Sequence, residues 1–392
     1  MRMRIRWILL FLGLMLIPGG ASAQTDVAPV IFTGPLSHIP YDGPGVYVAF
    51  QMLYMKTNRP LGAQQIATRG WYDLDGSVTG TVGGYVGSKE EALTTNMVRG
   101  PGNYQPGWDF RLGYKFQNNI TVEIGWRHLV QAEYSAVASL IPPTFNSGIQ
   151  FENTFLSAPV SNFTNDWAGA PQNIPGISGA STYGIFNAAS IMKIDFTQRY
   201  DIYEINARLP IWQTANHRSY GLLGPRITWI WDRFRWKSVD TDAAGDSGPF
   251  NQATYSNTIS NRMYGIHAGF GNDWFLGSTP IGGFAFNLDV EGGLYLNLVK
   301  ARAAWERGDR GVGASRGRRF SSLVPGAELR AGFKWYPWEA ISIEVAYDIQ
   351  TYFNTIASHE PVDFNMGSVD PQYDAQFFRW FYGLRIGIGF VF

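Results

Sequence analysis

The last seventeen residues of the chain, 376–392, alternate between large apolar side chains and small or charged ones. Apolar residues occupy every second position: Phe378, Trp380, Tyr382, Leu384, Ile386, Ile388, Phe390 and Phe392. Arg379, Gly383 and Arg385 lie between them. A period of two predicts a β-strand with two unlike faces. In a soluble sandwich the apolar face would meet a protein core, whereas in a membrane barrel it would meet lipid and the arginines would face the interior.

The composition favours strands over helices. The chain has 45 glycines and 15% aromatic residues, and no apolar run within it approaches the length of a membrane-spanning helix. Glycine and aromatic residues suit turns and half-buried strands. The chain has no cysteine, which excludes a disulfide framework, thiolate metal sites and thiolate nucleophiles.

The N-terminus predicts export. Three arginines within residues 1–6 precede an apolar block at 7–17, and Ala21-Ser22-Ala23 supplies a small-residue cleavage pattern. This order is typical of a secretory signal peptide, and the apolar block is too short for an anchoring helix. We therefore expect a signal peptide at 1–23, a periplasmic lead-in at 24–45 and a barrel at 46–392. Loss of the three arginines leaves a formal charge of −3, so no basic bias indicates nucleic acid.

The connections between predicted strands alternate in length. A clear hairpin runs from Trp108 to Arg127 around a turn at 117–119, and ten strands are predicted in all. Long segments follow the odd-numbered strands, at 58–106, 135–189, 237–256, 302–319 and 355–375, and short turns follow the even-numbered ones. This regularity predicts an all-β fold: a single antiparallel up-and-down transmembrane barrel with long external loops and short periplasmic turns. The alternatives are twelve strands or a secreted sandwich.

Charged residues fall on the faces predicted to point inward. Seventeen charged residues are predicted to face inward, nine basic and eight acidic; they are Asp109, Lys334, Asp348 and the fourteen residues named in the next sentence. The predicted pore-lining residues are Arg111, Lys115, Glu123, Arg127, Glu204, Arg208, Arg226, Asp289, Glu291, Glu328, Arg330, Glu344, Arg379 and Arg385. Charges in an apolar wall are costly unless they are paired or hydrated. Two interiors remain open at this point: a polar pathway with walls of mixed sign, and a closed interior filled by arginine–carboxylate pairs.

Aromatic residues cluster near the predicted strand ends, as in the aromatic girdles of membrane barrels. The predicted membrane-interface residues are Trp108, Phe116, Trp212, Trp335, Trp338 and Phe392, and Tyr54 and Trp236 are also expected near outer strand ends. Core aromatics are the alternative, because aromatic residues are common in strands.

The strand pattern resembles the pore-forming major-outer-membrane-protein-like family of Gram-negative-type bacteria. The resemblance lies in the first strand from Gly45 to Met55, in Asp109–Tyr114, in Gly224-Pro225-Arg226, in Gly269-Phe270-Gly271 and in the terminal Gly383–Phe392. It implies a porin-like barrel in the bacterial outer membrane that passes ions or small hydrophilic solutes. The expected partners are outer-membrane lipids, the barrel assembly machinery and small solutes. The alternative is a closed barrel that acts as a structural or adhesive surface protein through its long loops.

Neither catalysis nor metal binding is predicted. None of the five histidines has metal-ligand spacing to another, and no cofactor motif is present in the sequence. His359-Glu360 and the acidic segment at 240–246 would suit a hydrolase at the barrel rim, although ordinary solvated loops explain them as well. The basic segment 302–319 is either a contact for anionic lipopolysaccharide or a solvated loop. The chain is therefore predicted not to be an enzyme.

Overall fold

The structure of the chain is a computed structural model. It describes residues 43–73, 76, 79–99, 104–139, 155–169, 184–241 and 246–392. The predicted signal peptide at 1–23 and most of the predicted lead-in lie outside the described residues.

Ten antiparallel strands form one closed barrel. The ring closes because the first strand pairs with the second barrel strand on one side and with the last strand of the chain on the other. This confirms the predicted all-β antiparallel barrel and sets the number of barrel strands at ten rather than twelve. In order around the ring, the strands are β1 (Gly45–Thr57), β6 (Gln105–Lys115), β7 (Thr121–Ser139), β9 (Ile191–Gln213), β10 (His217–Val239), β11 (Gln252–Thr279), β12 (Gly282–Arg307), β13 (Gly313–Trp338), β14 (Ile341–Ala357) and β15 (Asp374–Val391).

The remaining elements belong to the long connections. Five short strands lie between β1 and β6 or between β7 and β9: β2 (Gln65–Arg69), β3 (Trp71–Asp73), β4 (Gly84–Val86), β5 (Glu91–Thr94) and β8 (Leu156–Ser157). Strands β5, β2 and β8 form one small sheet, and β3 pairs with β4. The helical pieces are single turns at Asn96–Arg99, Asn165–Trp167 and Pro249–Asn251. Among the described residues, no helix is long and apolar enough to cross a membrane.

The barrel wall is apolar outside and charged inside. On β15, Leu384 is 44% exposed and Ile386 is 46% exposed, whereas Arg379 and Arg385 are completely buried. The same inversion holds on the other barrel strands, where Leu, Ile, Val and Phe side chains are exposed while carboxylates and guanidinium groups are buried. A soluble protein buries its apolar residues and exposes its charges. The wall therefore has the pattern that the alternating sequence predicts for a barrel in lipid.

The prediction of a loop at 302–319 is wrong. Strand β12 continues to Arg307 and β13 begins at Gly313, so residues 308–312 alone connect them. The apolar residues change faces in this region. Leu294, Leu296 and Leu298 point outward, whereas Val299, Ala301, Ala303 and Trp305 point inward and are buried. The change indicates that the outer face of β12 is no longer in contact with an apolar medium beyond Leu298, while its inner face packs against protein.

Candidate functional site

The barrel interior is filled by ion pairs at mid-height. Arg111 contacts Asp109 at 3.2 Å, Glu123 at 3.1 Å and Glu204 at 3.3 Å. The cross-strand register places Asp109 on β6 opposite Arg127 on β7, and these two side chains lie 3.2 Å apart. All five side chains are nearly inaccessible to solvent. Because successive inward positions on neighbouring strands carry opposite charges, the wall neutralises itself.

Glu328 on β13 is the centre of this layer. Its carboxylate accepts hydrogen bonds from Arg127 and Arg226, both at 3.0 Å, and from Arg330 at 3.3 Å. Arg226 also donates to Glu204 at 2.9 Å and to Glu291 at 2.7 Å. A carboxylate with three guanidinium partners meets the condition under which buried charges are tolerated, namely dense pairing by charge-assisted hydrogen bonds.

Two of these ion pairs cross the whole lumen. Strands β7 and β13 are five positions apart in the ring of ten, so the Arg127–Glu328 pair joins opposite walls. Strands β10 and β15 are also five positions apart, and Arg379 on β15 contacts Asp232 on β10 at 2.7 Å. Tyr200 on β9 likewise donates a hydrogen bond to Gln350 on the opposite strand β14. A lumen bridged between opposite walls at three places has no free central path there.

An apolar layer adds to the closure. Leu53, Leu129, Ile230, Met263 and Val324 point inward from five different strands and are buried together. The rings of Tyr200 and Phe381 stack within this layer, with their centroids 4.1 Å apart. Hydrated ions do not pass a dry apolar constriction. The ionic and apolar layers therefore close the barrel in series.

The outer mouth is filled by the long connections, whose buried residues we call the plug. The plug comprises Leu61, Ile66, Ala67, Leu93, Val98, Leu156, Ala158, Val160, Trp167, Ile185, Phe186, Ala189, Val362, Met366 and Val369. It packs against inward-facing Trp236, Tyr255 and Trp305 of the wall, and the centroids of Phe186 and Trp305 lie 5.2 Å apart. Tyr255 donates a hydrogen bond to the Pro361 carbonyl at 2.9 Å. Trp236, which was predicted near an outer interface, therefore belongs to the interior.

One turn of the plug is organised around Asp363. Partial burial opposes ionisation of this carboxylate, but it accepts hydrogen bonds from the Asp370 N–H at 2.6 Å, the Ser368 hydroxyl and the Asn365 N–H at 2.9 Å. These donors hold the pKa of Asp363 below its usual range. The Asp370 side chain in turn pairs with Arg316 and Arg318 of β13. The segment between β14 and β15 is thus tied both to itself and to the wall.

The described residues at the short-turn end of the barrel leave space in the lumen. A cavity of about 230 Å³ lies there, lined by Lys115, Arg218, Asp273, Lys334 and Glu344, with Tyr47, Tyr220 and Tyr336 among its other lining residues. Lys334 and Arg218 contact the Asp273 carboxylate at 3.1 and 2.9 Å. The lining also includes Arg111 and Arg330, which belong to the ionic layer. The cavity is therefore a vestibule that reaches the ionic layer from the short-turn end.

The fourteen residues predicted to line a pore all lie on the inner side of the wall. Those in the ionic layer are Arg111, Glu123, Arg127, Glu204, Arg226, Asp289, Glu291, Glu328, Arg330 and Arg385. Arg208 reaches the layer through Glu123, Arg379 lies nearer the outer end, and Lys115 and Glu344 lie in the vestibule. The structure brings most of them into contact with one another, and their role as pore-lining residues stays a prediction.

Other interior residues were not singled out from the sequence. Asp232, the partner of Arg379, stands at an inward position of β10, two residues from buried Ile230. Strict alternation from Arg226 would have found it. His267 is buried in the ionic layer, 3.7 Å from Glu291, and neither of its ring nitrogens has a hydrogen-bond partner among the described residues. Its inward position is visible in the alternation of β11, but its surroundings depend on the strands across the lumen.

The six predicted interface aromatics point outward or lie at strand ends. Trp212, Trp338 and Phe392 are exposed near the short turns, and Phe116 follows the end of β6. The Trp335 indole donates to the Ile281 carbonyl at 2.9 Å in a neighbouring turn, and Trp108 packs edge-on against Trp126. Their placement at a membrane interface remains a prediction.

The predicted rim histidine has an acidic neighbour. His359 lies 3.6 Å from the Asp374 carboxylate, and both side chains are more than a third exposed. No group of three or more potential metal ligands occurs among the described residues.

Comparisons with known proteins identify no family. No protein-family model matches the chain, and no curated protein matches it. Among solved structures, the outer-membrane protease OmpT of Escherichia coli is 8% identical, with 90% of this chain and 99% of that chain covered and a TM-score of 0.41. The P. putida toluene transporter TodX is 8% identical, with 91% of each chain covered and a TM-score of 0.24. An anion-selective porin from Comamonas acidovorans is 9% identical, with 88% of this chain and 100% of that chain covered and a TM-score of 0.14.

The barrel is established by its own strand pairing, and the resemblance to the major-outer-membrane-protein-like family stays a prediction.

Proposed function

We propose that this chain is a closed β-barrel of the bacterial outer membrane that presents its long connections at the cell surface as a structural or binding platform. The observation that carries this proposal is the pair of salt bridges, Arg127–Glu328 and Arg379–Asp232, that join opposite walls of the lumen. The plug fills the outer mouth above them. These contacts support the closed alternative over an open pore.

The outward wall supports the membrane location. A ring of exposed Leu, Ile, Val and aromatic side chains is costly in water but favourable in hydrocarbon. The beginning of β1 and the end of β15 both lie at the short-turn end, because Gly45 pairs with Lys115 beside the turn between β6 and β7, and Tyr47 pairs with Val391. In barrels of this kind the short turns are periplasmic and the long connections external. The plug and its loops would therefore face the outside.

Accessibility on intact cells tests this orientation. Because the chain has no cysteine, a single introduced thiol reports one site. Ser88→Cys lies in the exposed connection between β4 and β5, and Asn118→Cys lies in the exposed turn between β6 and β7. We expect a membrane-impermeant maleimide to label the first variant and not the second, and to label both after lysis. Labelling of Asn118→Cys alone on intact cells would reverse the orientation.

Conductance tests the closure. The refolded mature chain in a planar bilayer is expected to give no steady unitary conductance, while a porin refolded in parallel gives its usual steps. Co-flotation of the chain with phosphatidylcholine vesicles verifies insertion, so silence cannot be ascribed to absence from the membrane. Regular open-channel events from the inserted chain would return the assignment to a pore.

A further inference from the structure

The outward face of four adjacent strands shows where the apolar belt ends. On β12 the outward residues change from Leu294, Leu296 and Leu298 to Lys300 and Arg302. On β11, Tyr264 and Ile266 give way to Arg262, and on β9, Tyr203 and Ile205 give way to Asp201 and Arg199. On β10 the change follows Trp229 and Trp231. Beyond the change, the apolar side chains of these strands point inward against the plug or the residues beside it. This border is the expected level of lipid headgroups.

Six basic residues lie along this border, and we call them the border patch: Arg199, Arg233, Arg262, Lys300, Arg302 and Arg319. The strand register connects them. Arg199 stands opposite Trp231, Trp231 opposite Ser260, Ser260 opposite Lys300, and Lys300 opposite Arg319. Arg233 and Arg302 occupy the next outward row and both stand opposite Thr258. Arg262 lies one row nearer the short turns, opposite Trp229 and Leu298, so the patch spans three rows on five neighbouring strands.

Several charges of the border patch have no ionic partner among the described residues. Lys300 and Arg319 face each other directly on adjacent strands, an arrangement of like charges that destabilises a sheet. Within the part of the chain that the structure describes, Arg262, Lys300, Arg302 and Arg319 have no salt bridge. Among neighbouring cations outside the patch, Lys193 contacts Asp195 at 2.8 Å and Arg310 contacts Glu306 at 3.5 Å, whereas Arg235 and Lys237 have no salt bridge among the described residues. An external anion would remove the repulsion.

An aromatic side chain holds one end of the patch in place. The guanidinium groups of Arg199 and Arg233 lie 4.9 and 5.2 Å from the ring centroid of Trp231. Cation–π contacts of this kind orient a guanidinium without consuming its charge. Tryptophan is also the residue that favours the headgroup level of a membrane. The patch thus combines fixed cations with an interfacial anchor.

We infer that the border patch binds the phosphorylated headgroup of an anionic glycolipid in the outer leaflet. Guanidinium groups donate paired hydrogen bonds to phosphate oxygens, and the Lys300 ammonium adds a compact charge. The acyl chains of such a lipid would lie against Leu296 and Leu298, directly below the patch. One lipid molecule would therefore contact the border patch with its headgroup and the apolar belt with its acyl chains. This inference rests on the proposed outer-membrane location, although it does not require the lumen to be closed.

Binding of lipid A, a diphosphorylated glycolipid, by the full mature chain in dodecylmaltoside micelles tests the inference. The variant Lys300→Gln/Arg319→Gln removes the two facing charges and is expected to lower the affinity about thirtyfold. The matched control, Arg310→Gln/Arg316→Gln, removes two charges of the same hairpin that are already paired with Glu306 and Asp370, and should stay within about twofold of the unmodified chain. Heat-modifiable gel mobility verifies that every variant remains a folded barrel.

Ligand controls separate the possible sources of phosphate. Dephosphorylated lipid A should bind much more weakly, and inorganic phosphate at the same concentration should not compete. Equal affinity of the facing-charge variant and the unmodified chain would overturn the inference, as would full competition by inorganic phosphate. Failure of the chain to insert into phosphatidylcholine vesicles would instead count against the proposed membrane location, so the two failures are distinguishable.

Discussion

At the residue scale, the interior contains salt bridges in which each charged side chain is stable in a buried position only because its partner is present. Arg379 and Asp232 are both nearly inaccessible, and they join β15 to β10 across the lumen. Removing one partner leaves an uncompensated buried charge, whereas replacing both with apolar residues removes the cost of desolvating either one. The same argument applies to the cluster around Glu328, where three arginines would lose their shared partner.

A double-mutant cycle on this pair measures the effect. We expect Arg379→Met and Asp232→Leu each to lower the free energy of unfolding by about 3–5 kcal/mol, and the double variant to lose much less than the sum. Urea unfolding from lipid vesicles, followed by tryptophan fluorescence, gives the three values. An exposed control, Arg310→Met, should change stability by less than about 1 kcal/mol. Additive losses in the cycle would contradict direct coupling of the two charges.

The sequence predicted which residues face inward but not which ones meet. Alternation assigns a side to Arg127 and to Glu328 separately. Their contact depends on the strand count and on the stagger of the closed sheet, which place β7 opposite β13. The sequence of a single strand determines neither the strand count nor the stagger. Asp109 and Arg127 are different, because they stand opposite each other in one hairpin and a local turn fixes their register.

At the element scale, ten strands were predictable because each carries its own alternation and its own turn. The strand boundaries at the outer ends were harder to predict, as β12 and β13 show. Where Val299, Ala301 and Trp305 pack inward instead of outward, the apolar face that marked the strand disappears from the outside. The segment then resembles a polar loop. The change of face is itself a sequence feature, and it recurs on β9, β10 and β11.

The seam between the first and last strands depends on a close approach of backbones. Gly383 of β15 stands opposite Met55 of β1, and a Cβ at this position would overlap the Tyr54 carbonyl oxygen. Glycine inside a strand often marks such an approach. The repeated glycines of the last strand, which were visible from the sequence as one small face, therefore have a packing function that only the closed ring shows.

Substitution at the seam tests this account. Gly383→Ala is expected to lower the free energy of unfolding by about 1–3 kcal/mol, because the backbones of β1 and β15 must move apart. Gly317→Ala on β13 is the matched control, since the nearest atom to a Cβ there is the Ala301 carbonyl oxygen at 3.9 Å. Urea midpoints in the same lipid vesicles provide the comparison. Equal losses for the two variants would remove the close approach as the reason for glycine at the seam.

At the scale of the whole molecule, the plug, the apolar layer and the ionic layer close the lumen in series. The plug is apolar and built from the long connections, whereas the ionic layer belongs to the wall strands themselves. The two have different origins in the chain, so one can be removed while the other remains. A barrel that needed only a displaceable gate would have a single barrier above an open lumen.

Because the barriers act in series, removing any one of them is expected to leave the barrel without steady conductance. A variant in which 60–103 and 155–189 are replaced by short Gly/Ser linkers removes much of the plug, and it should still give no steady conductance because Arg127–Glu328 and Arg379–Asp232 continue to bridge opposite walls. Arg127→Ala/Glu328→Ala alone should also be silent, since the plug remains. A chain that combines both sets of changes and still shows heat-modifiable mobility should remain silent as well, because the Arg379–Asp232 pair and the apolar layer still close the lumen. If loss of the plug alone produced well-resolved channels in planar bilayers, the ionic layer would be permeable, and the wall-to-wall pairs would not be the barrier that their geometry describes.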